Sequence, residues 1–443
     1  MAKVDKDGTL SEFKASARRT VCRTYAEAFR QFGLMMMSKG KEDSLSIGEK
    51  KHPVGESFLL SLVVSYFATS PIGILTGLFL LRIAETFGVY KGVMGQINTL
   101  SSIIAVIFAL FMGLLSVRFK HKVLLIVGLL SLSVSAMGCY IAWDFYSMLA
   151  LYSLSGVGIA MVSPMAIALI GEHLALEKRA RAVGLVIAGG SLAYLIGAPI
   201  MGVMADFGGW RMTLLGFVIP FSLVSLLLAF VGVPSSSSSH ESSVGGKSYL
   251  ESLREIVTNR SAIGCLIGNV FRNAAFMAIL LYSTSFFIER FELSENRASL
   301  VILGAALCYT LGSVVAGSLV NRIGRKLSTV STALLASTFT ISYAYMPSLW
   351  LSLALDFTSA WFMGMMASAA SSLTLEQVPR FRGSMMSLSS AATSLGSAVG
   401  AAVGGMALIW YDYEALGSIL GVMGIVSAVI FYFLTTDPAH GKT

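Results

Sequence analysis

Long apolar stretches separated by short polar loops constrain the fold of this chain more than any other feature of its sequence. A helix needs about 20 such residues to cross a hydrocarbon core roughly 30 Å thick, and it satisfies its backbone hydrogen bonds without water. The stretches therefore predict an all-α membrane protein with twelve transmembrane helices. The predicted spans are residues 58–81, 93–116, 123–142, 147–171, 183–205, 213–233, 262–287, 298–320, 327–346, 350–373, 384–408 and 416–435.

The composition excludes several classes of function. Charged residues make up 13% of the 443 residues, whereas a soluble domain carries about 25%. A soluble enzyme, a disordered chain and a nucleic-acid binder are therefore excluded, despite the formal net charge of +8. The four cysteines, Cys22, Cys139, Cys265 and Cys308, are isolated and lack the spacing of a metal site. We expect no metal, no disulfide framework and no nucleic-acid partner.

The composition changes abruptly at Pro234, which five consecutive serines follow, and such a segment is typical of a flexible linker. The predicted organisation is an N-terminal tail (1–56), a first six-helix bundle (57–233), a Ser-rich linker (234–260), a second six-helix bundle (261–436) and a C-terminal tail (437–443). We expect an amphipathic helix on the membrane surface within the first tail. A partly ordered extension and an organellar transit peptide are the alternatives.

The basic residues of the loops predict the orientation of the chain in the membrane. If the N terminus lies inside, the inner loops carry fourteen Lys and Arg residues and the outer loops carry four. Positively charged loops stay on the cytoplasmic side. The sequence therefore predicts a multi-pass protein of a prokaryotic cytoplasmic membrane, with both termini in the cytoplasm.

Two short segments occur twice in the chain. The loop at residues 113–122 is similar to the loop at residues 317–326, and the segment 195–202 is similar to the segment 398–405. The first offset is 204 residues and the second is 203. Two unrelated segments that recur at nearly one spacing indicate duplicated halves, a common construction of transporters.

The repeated loop resembles the signature G-x-L-a-D-R-x-G-R-K of the major facilitator superfamily. The second copy matches it at Gly317, Leu319, Arg322, Gly324, Arg325 and Lys326, and the first keeps Gly113, Leu115, Arg118 and Lys122. The resemblance implies two six-helix bundles that rock around a central cavity. Members of the family are mostly monomers, and the resemblance implies the same for this chain. It also implies a gating role for these loop residues: Gly113, Arg118, Gly317, Asn321, Arg322, Gly324 and Arg325.

The chain departs from the family pattern at three positions. The acidic position of the signature is Val117 in the first copy and Asn321 in the second. In the family this acid helps to latch the outward-facing state, so we expect a weak latch in the first half. The arginine that marks proton-driven drug exporters in the fourth span is also absent, and Tyr152 stands there instead.

Two charged residues lie deep inside predicted spans, Arg272 in the seventh and Asp356 in the tenth. Such charges are costly in lipid and usually face a cavity or a partner. At 1.5 Å per residue their depths differ by only roughly 6 Å. We therefore predict a switchable pair in which Arg272 receives an anionic or polar part of the substrate and Asp356 takes up a proton. A permanent structural ion pair is the alternative.

Other polar residues of the lining spans complete the predicted site. Asn269 and Asn273 share the face of Arg272 at helical spacing, and we expect them to bind substrate together with Tyr66 and Tyr152. Each could instead serve helix packing. At the end of the first span Arg82 and Glu85 are one turn apart, which predicts a local ion pair.

These features predict a secondary active transporter that moves a small organic solute by alternating access. We expect coupling to a proton or other ion gradient, with no cofactor, in either efflux or organic-anion transport. The alternative is a non-transporting membrane receptor or scaffold that uses its N-terminal tail. No catalytic motif such as HExxH, GxSxG or a phosphate-binding loop is present, so we predict no enzyme activity and no catalytic residue.

Overall fold

The computed structural model describes residues 56–174, 176–234, 253–378 and 381–437, and within these ranges all regular structure is helical. The predicted N-terminal tail lies outside the described residues except for Glu56. Most of the predicted linker and residues 438–443 of the predicted C-terminal tail also lie outside them. The described residues 56–234 form the N-terminal half, and residues 253–437 form the C-terminal half.

The helices confirm an all-α membrane protein. The N-terminal half contains α1 (Glu56–Phe67), α2 (Pro71–Leu78), α3 (Leu80–Phe87), α4 (Lys91–Met94), α5 (Gln96–Arg118), α6 (His121–Ile141), α7 (Phe145–His173), α8 (Leu176–Leu192), α9 (Ala198–Thr213) and α10 (Ile219–Gly232). The C-terminal half contains α11 (Arg260–Phe291), α12 (Glu295–Ile323), α13 (Arg325–Tyr345), α14 (Leu349–Leu375), α15 (Arg382–Trp410) and α16 (Tyr413–Leu434). Two π-helical segments, Ala193–Gly197 and Leu214–Val218, join α8 to α9 and α9 to α10.

Ten segments of the described chain are long and apolar enough to cross a membrane. One of them, Ala182–Gly232, has 51 residues and contains two predicted spans. The 21-residue helix α13 matches another predicted span but is not among the ten. The total of twelve spans therefore stays a prediction that these two observations favour.

Short polar residues start several of the long helices. Asp144 and Ser147 form a capping box at the start of α7, where the Asp144 carboxylate accepts from the Ser147 amide at 2.8 Å. The Asn259 side chain caps α11, and the Asp412 side chain caps α16. Each cap satisfies backbone N–H groups that have no partner inside the helix. Each cap therefore fixes the first turn of its helix at the boundary between a polar loop and the apolar stretch that follows it.

Predicted spans five and six are separated at Gly208 and Gly209, inside the residues assigned to α9. Gly209 has φ +69°, a backbone conformation that favours glycine because it has no Cβ atom. The next residue, Trp210, donates from its indole nitrogen to the Thr86 hydroxyl at 3.1 Å. The turn therefore reverses the chain and is fixed against the end of α3.

The two halves repeat the same close helix contacts. Gly156 on α7 lies against the backbone oxygen of Ser101 on α5, and neither helix could come so close if a Cβ atom were present. Gly364 on α14 lies in the same way against the backbone oxygen of Tyr309 on α12. Both members of the second pair lie 208 residues after those of the first. The duplication seen in the loops thus extends into the packing of the helices.

The repeated loops, which include the ends of α5 and α12, each end in a lysine that makes the same kind of contact. The ammonium of Lys122 lies 5.7 Å from the ring centre of Phe230, and that of Lys326 lies 5.3 Å from the ring centre of Tyr432. Each lysine thus approaches an aromatic ring near the end of the last helix in its own half. We call this end of the molecule the repeat-loop end and the other the opposite end.

Polar contacts join the two halves at the opposite end. Arg82 forms a salt bridge of 2.7 Å with Glu295, and Lys91 forms one with Glu289. The prediction that Arg82 pairs with Glu85 is wrong, because Glu295 of the other half approaches the guanidinium. Among the described side chains, every hydrogen bond between the halves lies towards this end. The halves are therefore tied together at the opposite end.

Candidate functional site

A cavity of about 340 Å³ lies between the two halves. Its walls come from α1, α8 and the π-helical segment after α8 in the N-terminal half, and from α11, α12 and α14 in the C-terminal half. The walls are predominantly apolar, with hydroxyl groups and three tyrosines among them. A concave apolar site with a few polar groups is the usual form of a small-molecule binding site, for which this volume is near the lower limit.

Asp356 on α14 is the only charged residue among those that line the cavity in the described part of the chain. It is 3% exposed, and its Oδ2 atom has no hydrogen-bond partner there. The residues on either side of it on the same helix face are used for packing. Ser352 donates to the backbone oxygen of Tyr343, and Ser359 pairs with the hydroxyl of Thr340 at 2.8 Å. Asp356 therefore has a carboxylate oxygen that the described part of the fold does not engage in a hydrogen bond.

Arg272 on α11 is partly exposed and does not line this cavity. Its Nε donates to the Asn269 side chain at 3.2 Å. It borders a separate void of about 20 Å³, which lies inside the C-terminal half between α11, α13, α14 and α16. Phe276 and Met363 border both spaces. The predicted ion pair between Arg272 and Asp356 is not formed in this structure.

The two predicted asparagines lie in the contact between helices of the C-terminal half rather than in the cavity wall. Asn269 is 2% exposed and donates to the hydroxyls of Thr374 and Ser389. Asn273 is 5% exposed and donates to the backbone oxygen of Thr393 on α15 at 2.7 Å. In this conformation both amides join α11 to its neighbouring helices.

The two predicted tyrosines of the N-terminal half have different surroundings. Tyr66 lines the cavity, and its hydroxyl bonds with Ser163. Tyr152 is 2% exposed and lies outside the cavity wall. Its hydroxyl donates to Asn98 at 2.8 Å and lies 3.3 Å from the hydroxyl of Thr76. Tyr152 therefore links α2, α5 and α7 within the N-terminal half.

The predicted gating residues lie at the repeat-loop end. Gly113 and Arg118 belong to α5, while Gly317, Asn321 and Arg322 belong to α12. The side chains of Arg118 and Arg322 are exposed, and that of Asn321 lies outside what the structure describes.

Gly324 forms the turn between α12 and α13 with φ +84°, which accounts for a glycine at this point of the signature. The carboxylate of Asp437 accepts from the backbone amides of Arg325 at 2.8 Å and of Lys326 at 3.3 Å. An acid at a helix N-terminus is favourable because of the unpaired N–H groups there. The second repeated loop is thus connected to the segment after α16.

Sequence reasoning missed two aromatic residues of the cavity wall. Tyr194 lies in the π-helical segment after α8, and Tyr309 lies on α12 with its ring 5.1 Å from that of Phe276. A large aromatic residue among the small residues of a Gly-rich and Ala-rich span was a usable signal for Tyr309. The direction of the Tyr194 side chain depends on the π-helical segment, in which the hydrogen bonds span one more residue than in an α-helix. An analysis that assumes 3.6 residues per turn does not detect such a segment.

The model of the Major Facilitator Superfamily matches residues 58–294 and 270–443 of this chain. Two proteins of Bacillus subtilis (strain 168), each described as an uncharacterized MFS-type transporter, are similar over most of their length. YceJ is 24% identical over 339 residues, which is 76% of this chain and 85% of YceJ. YwfA is 24% identical over 395 residues, which is 86% of this chain and 93% of YwfA.

Solved structures share the fold. A bacterial homolog of the human lysosomal transporter Spinster, in an inward-facing and unoccupied conformation, superposes with a TM-score of 0.67 at 16% identity, covering 88% of this chain and 96% of that one. The nucleoside transporter NupG superposes with a TM-score of 0.71 at 13% identity, covering 86% of this chain and 100% of that one. At these identities the likeness concerns the fold.

Proposed function

Because this chain belongs to the major facilitator superfamily, we propose that it is a secondary active transporter that carries a small organic solute across a membrane by alternating access. The observation that carries this proposal is the cavity between the halves, whose walls come from both of them. A binding site that two rigid bundles share is exposed to one side or the other when the bundles rock. Members of this family are generally not enzymes, and the proposal includes no catalytic residue.

The contacts between the halves indicate which conformational state of the transport cycle this structure represents. The salt bridges of Arg82 with Glu295 and of Lys91 with Glu289 hold the opposite end together. We place the repeat-loop end in the cytoplasm because the loops predicted to face it carry the larger number of basic residues. Closure of the opposite end then corresponds to an inward-facing state. The Bacillus relatives support a bacterial cytoplasmic membrane.

Asp356 is the residue that we assign to proton coupling. A carboxyl group buried in an apolar wall without a counter-charge pays a large cost for its ionised form, and a proton removes that cost. Asp356 has such an environment, because its Oδ2 lacks a partner among the described residues. Its protonation therefore changes the charge of the cavity wall between two states of the cycle. The proposed site also includes Tyr66, which lines the cavity, and Arg272, which borders the adjacent void.

Distances between spin labels test alternating access without a known solute. Tyr90→Cys and Arg297→Cys place one label on each half at the opposite end, after the four native cysteines have been replaced. We expect two populations of distance, because this end must open during the cycle. The matched control is Tyr90→Cys with Asp206→Cys, a pair within the N-terminal half that should give a single distance.

The same labels test the coupling residue. We expect the ratio of the two populations to change with pH in the wild-type background and to be independent of pH in Asp356→Asn. A single distance between the halves at every pH contradicts alternating access, while a pH response that survives Asp356→Asn contradicts only the coupling assignment. The receptor or scaffold alternative stays a prediction, because the tail on which it depends lies outside the described residues except for Glu56.

A further inference from the structure

The charge of the cavity wall is unbalanced. Asp356 contributes a carboxyl group, and no Lys, Arg or His lines the cavity among the described residues. The titratable groups that face Asp356 from neighbouring helices are the thiol of Cys308 on α12 and the hydroxyl of Tyr343 on α13. Neither carries a positive charge. Among the described residues, an ionised Asp356 therefore has no cationic partner in the cavity wall.

Arg272 does not fill this role in the structure. Its guanidinium donates to Asn269 on its own helix and borders the smaller void. Phe276 and Met363 border both spaces and so form the wall between them. The cavity consequently presents a carboxylate, while Arg272 lies behind residues of the wall, with Tyr309 as an electrostatic neighbour.

The remaining wall suits the apolar part of a ligand. Aromatic rings come from both halves, with Tyr66 and Tyr194 from the N-terminal half and Phe276 and Tyr309 from the C-terminal half. The rings of Phe276 and Tyr309 lie 5.1 Å apart and are inclined by 33°. Aromatic faces attract organic cations and pack well against flat apolar bodies.

Two hydroxyl groups of the wall are already bonded within the protein. The Thr310 hydroxyl donates to the backbone oxygen of Ala306 at 2.7 Å, and the Ser359 hydroxyl is paired with Thr340. A sugar carries hydroxyls on all sides, and each one that meets the predominantly apolar part of the wall loses a hydrogen bond to water, which is costly in a buried site. An anion would be repelled by ionised Asp356. A ligand with one positive charge and an apolar body meets neither obstacle.

We propose that the cavity binds a small organic cation, an apolar or aromatic body that carries one protonated or quaternary nitrogen, with the Asp356 carboxylate as its counter-ion. This inference rests on the proposed function, since it names the class of solute that the transporter carries. The volume of about 340 Å³ is sufficient for a body of one or two rings. A proton and the cation then compete for one carboxyl group, so that cation affinity falls as the pH falls.

Binding of three small probes to the purified full-length protein in nanodiscs tests the ligand class. The probes are benzyltrimethylammonium, 4-tert-butylbenzoate and glucose, and the readout is the thermal unfolding midpoint as each is titrated. We expect the cation to raise the midpoint by about 2–4 °C at saturation, and the anion and the sugar to leave it unchanged. Stabilisation by the anion alone, or by none of the three probes, overturns the inference.

Variants of the carboxyl group complete the test. Asp356→Asn keeps the size of the side chain and should weaken cation binding at least about tenfold, whereas Asp356→Glu should retain binding. Glu85→Gln, which removes an exposed carboxylate outside the cavity, is the matched control and should bind like the wild type. Undiminished cation binding in Asp356→Asn overturns the inference. The spin-label distances are measured without a ligand. If the binding tests contradict the cation inference, alternating access is therefore still tested separately by those distances.

Discussion

Gly92 and Gly405 face each other across the boundary between the two halves so closely that neither position has room for a Cβ atom. Gly92 belongs to α4 and Gly405 to α15, and both lie towards the opposite end. The closed state of this end therefore depends on two residues without side chains. Their contact accompanies the salt bridges described above and is independent of charge.

Gly92→Val should prevent closure of the opposite end. The added side chain meets the backbone of Gly405, which cannot move without its helix. We expect transport of benzyltrimethylammonium into proteoliposomes to fall by at least about tenfold, since a closed state destabilised by more than about 1.4 kcal/mol loses that factor in population. Gly73→Val is the control, because no atom lies within 4 Å of the position its Cβ would take. Wild-type transport by Gly92→Val would contradict the role given to this contact.

The salt bridge between Lys91 and Glu289 should bias the same equilibrium weakly. The side chains are 17% and 37% exposed, and a pair of this kind is worth about 0.2–1 kcal/mol. Glu289→Lys should therefore increase the open population by no more than about fivefold, as measured by the spin-label distances. The double variant Lys91→Glu with Glu289→Lys should restore the wild-type ratio. If the double variant behaves like the single one, the pair does not contribute.

Tyr152→Phe should lower stability without changing ligand binding. The substitution removes the hydroxyl that bonds with both the partly buried Asn98 and the buried Thr76, which costs about 1–2 kcal/mol. We expect a lower thermal midpoint and an unchanged affinity for benzyltrimethylammonium. Tyr146→Phe, at a side chain that is 75% exposed, should change neither quantity. A loss of affinity in Tyr152→Phe would show that this hydroxyl belongs to the binding site after all.

The start of α7 should respond to pH. The hydroxyl of Ser147, followed by its backbone amide, lowers the pKa of the Asp144 carboxyl below its ordinary value. A lowered pKa in the folded state means that the cap stabilises fully above the ordinary aspartate value of about 3.9 and is lost as the pH falls through the folded value. Protection of the Ser147 amide from hydrogen exchange should therefore decrease in acid. In Asp144→Asn, whose amide oxygen does not titrate, the protection should be independent of pH, and a pH-independent wild type would refute the prediction.

Hydropathy predicted the fold well because each helix of this protein must satisfy the same requirement, a length matched to the membrane. The predicted span 147–171 corresponds to α7, Phe145–His173, and the predicted span 262–287 corresponds to α11, Arg260–Phe291. The repeated loops predicted the duplicated halves, and the family match agrees with the resemblance. The length and hydropathy of an apolar stretch are local properties of the sequence, and they were sufficient to identify these helices.

The candidate site was predicted only in part, because depth along a helix does not specify direction around it. Arg272 and Asp356 were placed at similar depths, but Arg272 borders a void within its own half while Asp356 lines the cavity. Asn273 shares the helix face of Arg272 and is used against α15. The pairing of Arg82 with Glu295 joins residues that are 213 positions apart. Such relationships arise from the packing of complete bundles, and no spacing in the sequence records them.

The shared spacing of 208 residues in the glycine contacts identifies the counterparts of the cavity residues. By that spacing Asp356 corresponds to Met148, which is fully buried, and Tyr309 corresponds to Ser101, which bonds with Ser155. The helix packing is repeated, but among the described residues of the cavity wall a carboxyl group occurs only in the C-terminal half. A change in the charge of the transported solute would then require substitutions in the C-terminal half, while the N-terminal half contributes neutral residues that shape the same cavity.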